Sequence, residues 1–382
     1  MRILHVNNWL PAPPIDGGKL RKLQQLSALA RVHEVVVLGR AASPHDRRWL
    51  EARHPGLTVI EADAAADGSA ATLDAVRRAL SQVTVDAVHV SGVPQWPGTR
   101  DLDGRPIVLD VDSVESRVLE TLCAAGVADI TPLDVAAVRA LERHAFTRAS
   151  RVITCSDVDA ALVRAAAPHA DIAVAPNAID VGAFRPSPLR PLHAPPLVTF
   201  TGFLAYRPNA DACVHFVSRI LPSVRAALGQ VAVRLVGRLP PDDVRALQAA
   251  PGVEVVADVP DIRPYLEATD VVVVPLRAGS GTRLKILEAF AACRPVVSTS
   301  LGCEGLAVSD GTHLLITDDA EAFAAAVARV IRDRGLASDL ATAGRALVEQ
   351  RYDCGVVERD ILGVYETLSR PNEDRPAPGA PA

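Results

Sequence analysis

Short runs of apolar residues recur along the chain, and segments with helical spacing separate them. The runs do not alternate between apolar and polar positions, which is typical of strands buried on both faces. Because helices lie between successive runs, the pattern predicts two parallel sheets. In the first half the predicted strands are Ile3–Val6, Val35–Leu38, Leu57–Ile60, Ala87–Val90, Ile107–Leu109, Val152–Thr154 and Ile172–Ala175. In the second half they are Val198–Phe200, Val231–Val236, Val253–Val256, Val271–Val274, Val296–Ser298 and Leu314–Ile316.

The segment between these two halves predicts how the chain divides into domains. Residues 185–196 carry five prolines and no apolar period, which is typical of a linker. A chain of 382 residues suffices for about two domains. We therefore predict α/β domains over residues 1–184 and 197–350, both Rossmann-like and doubly wound, facing a central cleft at the carboxyl ends of their strands. Residues 371–382 form a Pro-rich, weakly hydrophobic tail that is predicted to be disordered.

The richest chemical signal follows the strand Val271–Val274. A glycine-flanked turn there leads directly into a helical segment, and such a helix start offers unpaired N–H groups and a positive dipole end to a phosphate. Arg283 and Lys285 lie in the first turn, where the dipole disfavours cations. Their presence favours a bound anion, although a helix start whose cations point into water remains an alternative. Glu288 lies one turn on, on the face of Lys285, where it could accept hydrogen bonds from ribose hydroxyls.

Two common phosphate motifs do not fit this turn. A dinucleotide fingerprint needs a third glycine where Leu284 stands, and a P-loop needs a lysine before the hydroxyl residue rather than after it, as Lys285 is. The residues therefore indicate a phosphate without deciding the type of nucleotide.

Several motifs together resemble glycosyltransferase family 4, the group 1 glycosyl transferases. The main one is Gly279–Ser300, followed by Gly302–Leu306, which looks like the donor-binding segment of that family. Further similar segments are Pro14–Gly18, Pro176–Asp180, Leu235–Gly237 and Val259–Tyr265. The resemblance covers most of the chain, densely from about residue 200 to 353 and thinly before that.

The resemblance implies a GT-B fold and a retaining enzyme, with residues 351–370 crossing back onto the first domain. It also implies which residues bind the donor, which take part in catalysis and which face the acceptor. The expected donor-binding residues are Gly17, Gly18, Gly202, Gly237, Val259, Gly281, Thr282, Arg283 and Glu288. The expected catalytic residues are Arg207, Lys285 and Asp112. The expected acceptor-side residues are Asp16, Asp112, Glu115 and Asn177.

The chain departs from the family pattern at two places. Many members carry two glutamates separated by seven residues, whereas here Ser280 occupies the first position and Glu288 the second. Many also carry a Lys-Gly pair after the first strand of the second domain, where this chain has Tyr206–Asn209. Arg207, Arg283 and Lys285 are then the cations available to the diphosphate.

Candidate sites in the first domain carry weaker signals. Asp16 and the two glycines after it precede a helix and could present amides to the cleft, or could form a tight turn only. Asp110 and Asp112 match a metal-binding Asp-x-Asp pattern of a different glycosyltransferase fold, but this pattern is too common to define a site. We therefore predict no metal and no cofactor other than the nucleotide-sugar co-substrate.

Composition excludes some classes of protein. The net charge of −5 argues against a nucleic-acid surface. No run approaches the ~20 apolar residues of a membrane span, and Met1–Val6 begins a strand rather than a signal peptide. The six cysteines have no metal-binding spacing, in keeping with a reducing compartment. We predict a cytoplasmic protein. Both a weak peripheral contact with the inner membrane face and the oligomeric state are left open.

These observations predict a retaining glycosyltransferase that moves a sugar from a nucleoside-diphosphate donor, UDP- or GDP-linked, to a hydroxyl group. The acceptor would be a glycan, a lipid-linked molecule or a natural product such as an aminocyclitol. One alternative is a GT-B sugar-nucleotide epimerase or phosphorylase. An alternative of another class is an inactive scaffold with the same fold, which the loss of the first glutamate at Ser280 would favour.

Overall fold

The computed structural model describes residues 1–13, 16–62, 69–99, 102, 104–127, 130–186 and 189–368. The predicted tail at 371–382 and the last two residues of the predicted returning segment, 369 and 370, lie outside this range.

The N-terminal half forms a parallel sheet of seven strands in the order β3-β2-β1-β4-β5-β6-β7. The strands are β1 Arg2–Trp9, β2 Glu34–Arg40, β3 Thr58–Ala62, β4 Ala87–Ser91, β5 Ile107–Val111, β6 Arg151–Thr154 and β7 Ile172–Val174. The helices are α1 Gly17–Val32, α2 Pro44–Arg53, α3 Ser69–Gln82, α4 Glu115–Ala124, α5 Pro132–Arg148 and α6 Asp157–Ala166. Two apolar clusters, one on each face of the sheet, form the core of this half.

The C-terminal half forms a second parallel sheet, of six strands in the order β10-β9-β8-β11-β12-β13. The strands are β8 Leu197–Phe203, β9 Ala232–Arg238, β10 Val253–Ala257, β11 Val271–Val274, β12 Val296–Ser298 and β13 Leu315–Ile316. The helices are α7 Arg207–His215, α8 Leu221–Leu228, α9 Asp242–Ala246, α10 Arg263–Glu267, α11 Leu284–Ala291, α12 Ala320–Arg332, α13 Arg334–Arg351 and α14 Cys354–Leu368.

The predicted fold is confirmed. Each apolar run named from the sequence overlaps a strand, and the described part of the chain contains thirteen strands. The valines of β11 show why the pattern was informative: all of them are fully buried, because β11 lies between β8 and β12 with helices on both sides. In both sheets the strand order reverses beside the first strand, β1 or β8, which places a crevice at the carboxyl ends of the strands.

The last helix, α14, returns to the N-terminal half. Its apolar side chains are buried in the same cluster as Leu26 and Leu29 of α1. Tyr365 of this helix places its hydroxyl group 2.6 Å from Nδ1 of His89 in β4. Burial lowers the pKa of His89 to about 3, so this contact is made by a neutral imidazole ring. Helix α14 therefore ties the end of the described chain to the first sheet.

Candidate active site

A cleft of about 890 Å³ lies between the carboxyl ends of the two sheets. Its first wall comes from the segments after β1, β5 and β7, and its second from those after β8, β9, β10 and β11. Thirteen of the residues that the sequence predicted line it: Asp16, Gly17, Gly18, Asp112, Glu115, Asn177, Gly202, Gly237, Val259, Thr282, Arg283, Lys285 and Glu288. Loops at one edge of each sheet thus bring together residues that are distant in the sequence.

The starts of α1 and α11 meet across this cleft. A Cβ atom added to Gly17 would lie 3.0 Å from Cδ1 of Leu284, the first residue of α11. Asp16 caps α1, since its Oδ1 accepts a hydrogen bond from the backbone N–H of Lys19 at 2.8 Å. A helix start carries unpaired N–H groups and a partial positive charge. The cleft therefore combines two favourable positions for an anion.

Lys285 lies in the first turn of α11 and is 92% buried. Its Nζ donates a hydrogen bond to Oδ1 of Asn209 at 2.6 Å and lies 4.8 Å from the centre of the Phe200 ring. Burial and, secondarily, the nearby charge of Arg283 lower the pKa of Lys285 to about 8. An ammonium group in such a place is costly unless an anion compensates it.

Two glycines make room for this ammonium group. A Cβ atom on Gly202 would lie 3.1 Å from Lys285 Nζ, and one on Gly237 would lie 1.8 Å from the carbonyl oxygen of Gly202. Any side chain at Gly237 would therefore push β8 and β9 apart where they reach the cleft. Both glycines, predicted to lie on the donor side, allow close backbone packing around Lys285.

Glu288 lies one turn after Lys285 and lines the cleft. Burial raises the pKa of its carboxyl group to about 7, and the charge of Lys285 acts in the opposite direction. The group is thus close to half ionised at neutral pH, and its charged form needs hydrogen-bond donors from a ligand.

Arg283, predicted to bind the donor, also makes hydrogen bonds within its own loop. Its guanidinium group is folded back and donates hydrogen bonds to the backbone carbonyl oxygens of Ser280 and Gly281. Arg283 lines the cleft and is 91% buried; its Nη1 donates both bonds to its own loop, and its Nη2 donates to the carbonyl oxygen of Leu301 at 3.4 Å. Arg283 therefore holds the loop in shape and also contributes positive charge to the site.

The structure corrects the placement of Arg207 and Gly281. Arg207 is exposed: its Nη2 donates to the carbonyl oxygen of Val127 at 2.7 Å, and its Nη1 lies 3.9 Å from Asp243. Gly281 packs against the first domain, where a Cβ atom on it would lie 2.3 Å from the carbonyl oxygen of Asp112. Neither residue is among the described residues that line the cleft. Both positions follow from the direction in which the loop leaves its strand, which sequence spacing does not specify.

The first wall of the cleft carries carboxyl groups. Burial raises the pKa of Asp112. Burial and, secondarily, the charge of Asp112 raise the pKa of Glu115 to about 7, although Glu115 accepts a hydrogen bond from Ser113 Oγ at 3.2 Å. Asp112 and Glu115 are thus groups that could accept hydrogen bonds from hydroxyl groups, and Glu115 could also hold a proton at neutral pH.

Other polar groups on this wall are already paired. Arg21 forms a buried ion pair with Asp110, with 2.6 Å between Nη2 and Oδ1, and also donates to Asn177 Oδ1 at 3.0 Å. Asn177 in turn donates to the carbonyl oxygen of Thr282 at 3.4 Å, so its amide bridges the domains. Because Asp110 is committed to Arg21, the Asp-x-Asp pair does not present two free carboxylates. Among the described residues, no group of three or more His, Cys, Asp or Glu side chains is arranged to hold a metal.

Sequence reasoning missed three residues of the second wall. Asn209 fixes Lys285, Arg238 directly follows Gly237, and Tyr206 precedes α7; all three line the cleft. The signal was present for two of them, because Tyr206–Asn209 is the place where the chain departs from the family's Lys-Gly pair. For Arg238 the signal was its position after a predicted strand that ends in glycine.

Comparisons with known proteins agree with this architecture. The chain superposes on sucrose-phosphate synthase from Thermosynechococcus elongatus with a TM-score of 0.81, at 20% identity over 96% of this chain and 99% of that one. It superposes on Anabaena HepE in complex with UDP and glucose with a TM-score of 0.73, at 17% identity over 96% of this chain and 100% of that one. These likenesses define the class of fold: the protein has the GT-B fold.

The second half also matches a family model, described as Glycosyl transferases group 1, over residues 195–333. This part of the chain is a group 1 glycosyl transferase domain, and the resemblance noted in the sequence is confirmed. The chain is 29% identical over 201 residues to a phosphatidyl-myo-inositol mannosyltransferase of Mycolicibacterium smegmatis, covering 51% of each protein. It is 30% identical over 156 residues to the Mycobacterium leprae protein of the same name, covering 39% of this chain and 41% of that protein. The chain thus aligns with about half the length of these relatives or less.

The described residues include no helix that is long and apolar enough to cross a membrane.

Proposed function

We propose that this protein is a retaining glycosyltransferase of family 4 that works in the cytoplasm without a metal. It moves a sugar from a UDP- or GDP-linked donor to a hydroxyl group of a glycan, a lipid-linked molecule or a natural product. The group 1 domain supports transferase chemistry. The names of the relatives, mannosyltransferases, and of a structural neighbour that binds UDP and glucose support a nucleotide-sugar donor.

The observation that carries the proposal is the position of Lys285. Its ammonium group is buried at the start of α11, in a cleft where α1 also begins. A diphosphate bound there would receive hydrogen bonds from Lys285 and from backbone N–H groups, together with the favourable dipoles of two helices. This arrangement favours departure of a nucleoside diphosphate, because it stabilises the negative charge that develops on the leaving oxygen.

The proposed reaction breaks the bond between the anomeric carbon of the sugar and the diphosphate oxygen. A new bond forms between that carbon and the acceptor oxygen on the same face, and the acceptor proton passes to the departing diphosphate. Glu288 orients the nucleotide by accepting hydrogen bonds from its ribose hydroxyls. The domains close on the reactants and exclude water, which would otherwise compete with the acceptor.

The acceptor would bind against the first wall. Asp112 is the group we place nearest the acceptor hydroxyl, since it adjoins both the start of α1 and the loop before α11. Its carboxylate would orient that hydroxyl by accepting its hydrogen bond, with Glu115 and Asp16 beside it. Asn177 acts indirectly, through its bonds to Arg21 and Thr282.

The direct test is to incubate the protein with UDP-glucose, GDP-mannose and other nucleotide sugars, with and without candidate acceptors. Release of a nucleoside diphosphate together with a new glycoside of unchanged anomeric configuration is the expected result. The reaction should persist in excess chelator, and complete, metal-reversible loss of turnover would overturn the metal-independent mechanism. Formation of an isomeric sugar nucleotide would instead support an epimerase, and a lack of turnover with every donor would support a scaffold.

A further inference from the structure

The loop that leads into α11 is held by the first domain. The backbone N–H of Gly279 donates a hydrogen bond to Thr121 Oγ1 at 2.9 Å. The hydroxyl group of Ser280 donates to Asp159 Oδ1 at 3.3 Å. The side chains of Thr121, Asp159 and Ser280 are each more than 90% buried. These bonds therefore lie inside the domain contact rather than at its rim.

The next two residues of the loop are held in the same way. Gly281 lies directly on the carbonyl oxygen of Asp112, where no side chain would fit. The carbonyl oxygen of Thr282 accepts a hydrogen bond from Asn177. Every residue from 279 to 282 thus contacts the first domain, and we call this set of contacts the interdomain clasp.

The hydroxyl group of Thr121 makes two hydrogen bonds, one as donor and one as acceptor. It donates to the carbonyl oxygen of Val118 in its own helix at 2.9 Å and accepts from Gly279 N–H. Serine would preserve both bonds, whereas valine has the same shape and no acceptor. The backbone N–H of Gly279 would then be buried without its partner, which is costly.

Both carboxylate oxygens of Asp159 also accept hydrogen bonds. It lies in the first turn of α6, where its Oδ2 accepts a hydrogen bond from Ser156, and it is 2% exposed. Its Oδ1 is the oxygen that accepts from Ser280. Many members of the family that this sequence resembles carry a glutamate at the position of Ser280. A glutamate there would bring a second buried carboxylate against Asp159, and buried like charges repel strongly. Ser280 therefore fits a domain contact that a glutamate would break.

The clasp is connected to the donor side of the cleft through Arg283. Its guanidinium group donates hydrogen bonds to the carbonyl oxygens of Ser280 and Gly281, and these bonds connect the loop to the residue that precedes α11. Leu284 and Lys285 follow at once. A change in the loop would therefore displace the helix start and the ammonium group proposed to receive the diphosphate.

We propose that Thr121 and Asp159 are positioning residues for donor binding: they hold the loop so that α11 and Lys285 face the nucleotide. This inference rests on the proposed function, since it assumes that the nucleotide binds at the start of α11. Neither residue is among the described residues that line the cleft, so both act through the loop. The donor site is then complete only when the domains are closed, and weakening the clasp lowers the fraction of binding-competent protein.

The test compares the double variant Thr121→Val/Ser280→Ala with the wild type, with Thr121→Ser, and with the control Thr147→Val. Thr147 also bonds a carbonyl oxygen of its own helix, that of Arg143, but it is exposed. Small-angle X-ray scattering measures the radius of gyration without ligand, and calorimetry measures the dissociation constants of UDP and GDP. The radius of gyration should increase in the double variant and return to the wild-type value at saturating nucleotide. The dissociation constant of the double variant for the nucleotide should rise about tenfold, as expected from losing two hydrogen bonds of modest net strength.

Thr121→Ser and Thr147→Val should behave as the wild type in both measurements. A double variant with an unchanged radius of gyration and unchanged dissociation constants would overturn the inference. So would equal effects of the double variant and Thr147→Val, because they would indicate a general loss of helix stability. If the wild type bound neither UDP nor GDP, the proposed function would fall with the donor role, and the scattering data would still decide whether these bonds hold the domains closed.

Discussion

Lys285 Nζ and Asn209 Oδ1 lie 2.6 Å apart, which makes Asn209 the residue that fixes the buried ammonium group. The amide of Asn209 is itself oriented, because its Nδ2 donates to the carbonyl oxygen of Phe203 at 2.8 Å. Its oxygen must then face Lys285. A lysine ammonium has three N–H donors, so this contact aims the group while leaving donor capacity for a ligand.

Replacing Lys285 with methionine should separate stability from catalysis. Burial lowers the pKa of Lys285 from 10.5 to about 8, so the charged group destabilises the empty protein below pH 8. At about 1.4 kcal/mol per pKa unit, removing it should stabilise the protein by up to about 3 kcal/mol at pH 7. The gain should shrink as the pH rises from 8 and vanish above the unfolded pKa of 10.5. Denaturant titration at pH 7 and pH 11 measures it.

The same variant should lose transfer activity. Loss of one group that stabilises leaving-group charge costs about 2.7–4 kcal/mol of barrier, or about 10²–10³ in kcat. Lys19→Met, on the first helix and outside the described lining of the cleft, is the matched control and should keep wild-type turnover. A less stable Lys285→Met protein with normal turnover would mean that Lys285 is structural.

Replacing Glu288 with glutamine should weaken nucleotide binding. If the carboxylate accepts hydrogen bonds from ribose hydroxyls, UDP or GDP affinity should fall by about 1.5–3 kcal/mol, the range for hydrogen bonds to charged groups. The empty variant should be more stable than the wild type at pH 8 but not at pH 4, since stability conferred by a raised carboxyl pKa is lost as the pH rises towards 7. Calorimetry and thermal melts measure the two effects. Unchanged affinity in the glutamine variant would remove Glu288 from the donor site.

The sequence predicted those parts of the site that depend on residues close together along the chain, and missed those that depend on residues far apart. Val271–Val274 and the turn after it gave the strand, the helix start and Lys285, because burial and helix geometry are local consequences of residue order. Ser280 and Asp159, by contrast, are separated by 121 positions, and no periodicity connects them. Their bond depends on how the two sheets are brought together, so the interdomain clasp could be recognised only in three dimensions.

The position of Arg207 outside the lining of the cleft has a similar cause. Sequence placed it near the end of β8, within reach of the cleft, but whether a side chain points into the cleft depends on one or two backbone angles. In the structure α7 begins at Arg207 and turns its side chain towards Val127, while Asn209 takes the inward direction. Residue type suggested that the cation would line the cleft, and helix geometry placed the amide of Asn209 there instead.

The dependence of nucleotide affinity on pH should be bell-shaped. Binding needs Glu288 ionised, which occurs as the pH rises through about 7, and Lys285 protonated, which is lost as the pH rises through about 8. The two groups are one turn apart and titrate together, so the apparent values belong to the pair. Affinity for UDP should therefore be highest between about pH 7 and 8. The ratio of dissociation constants between Glu288→Gln and wild type, which cancels the ionisation of UDP itself, should approach unity at low pH and grow through pH 7. A ratio independent of pH would contradict the assignment.

Arg207→Ala gives the sharpest comparison between the sequence prediction and the structure. The guanidinium group is exposed and bonds the carbonyl oxygen of Val127 across the domain contact, so its removal should leave kcat within about threefold of the wild type. An exposed pair of this kind contributes little to stability, about 0–1 kcal/mol, so the melting temperature should change little as well. Steady-state kinetics of Arg207→Ala beside Lys285→Met would measure the contrast directly. A loss of 10²-fold or more in kcat with unchanged folding would show that Arg207 swings into the cleft during the reaction, and the original sequence assignment would then be correct.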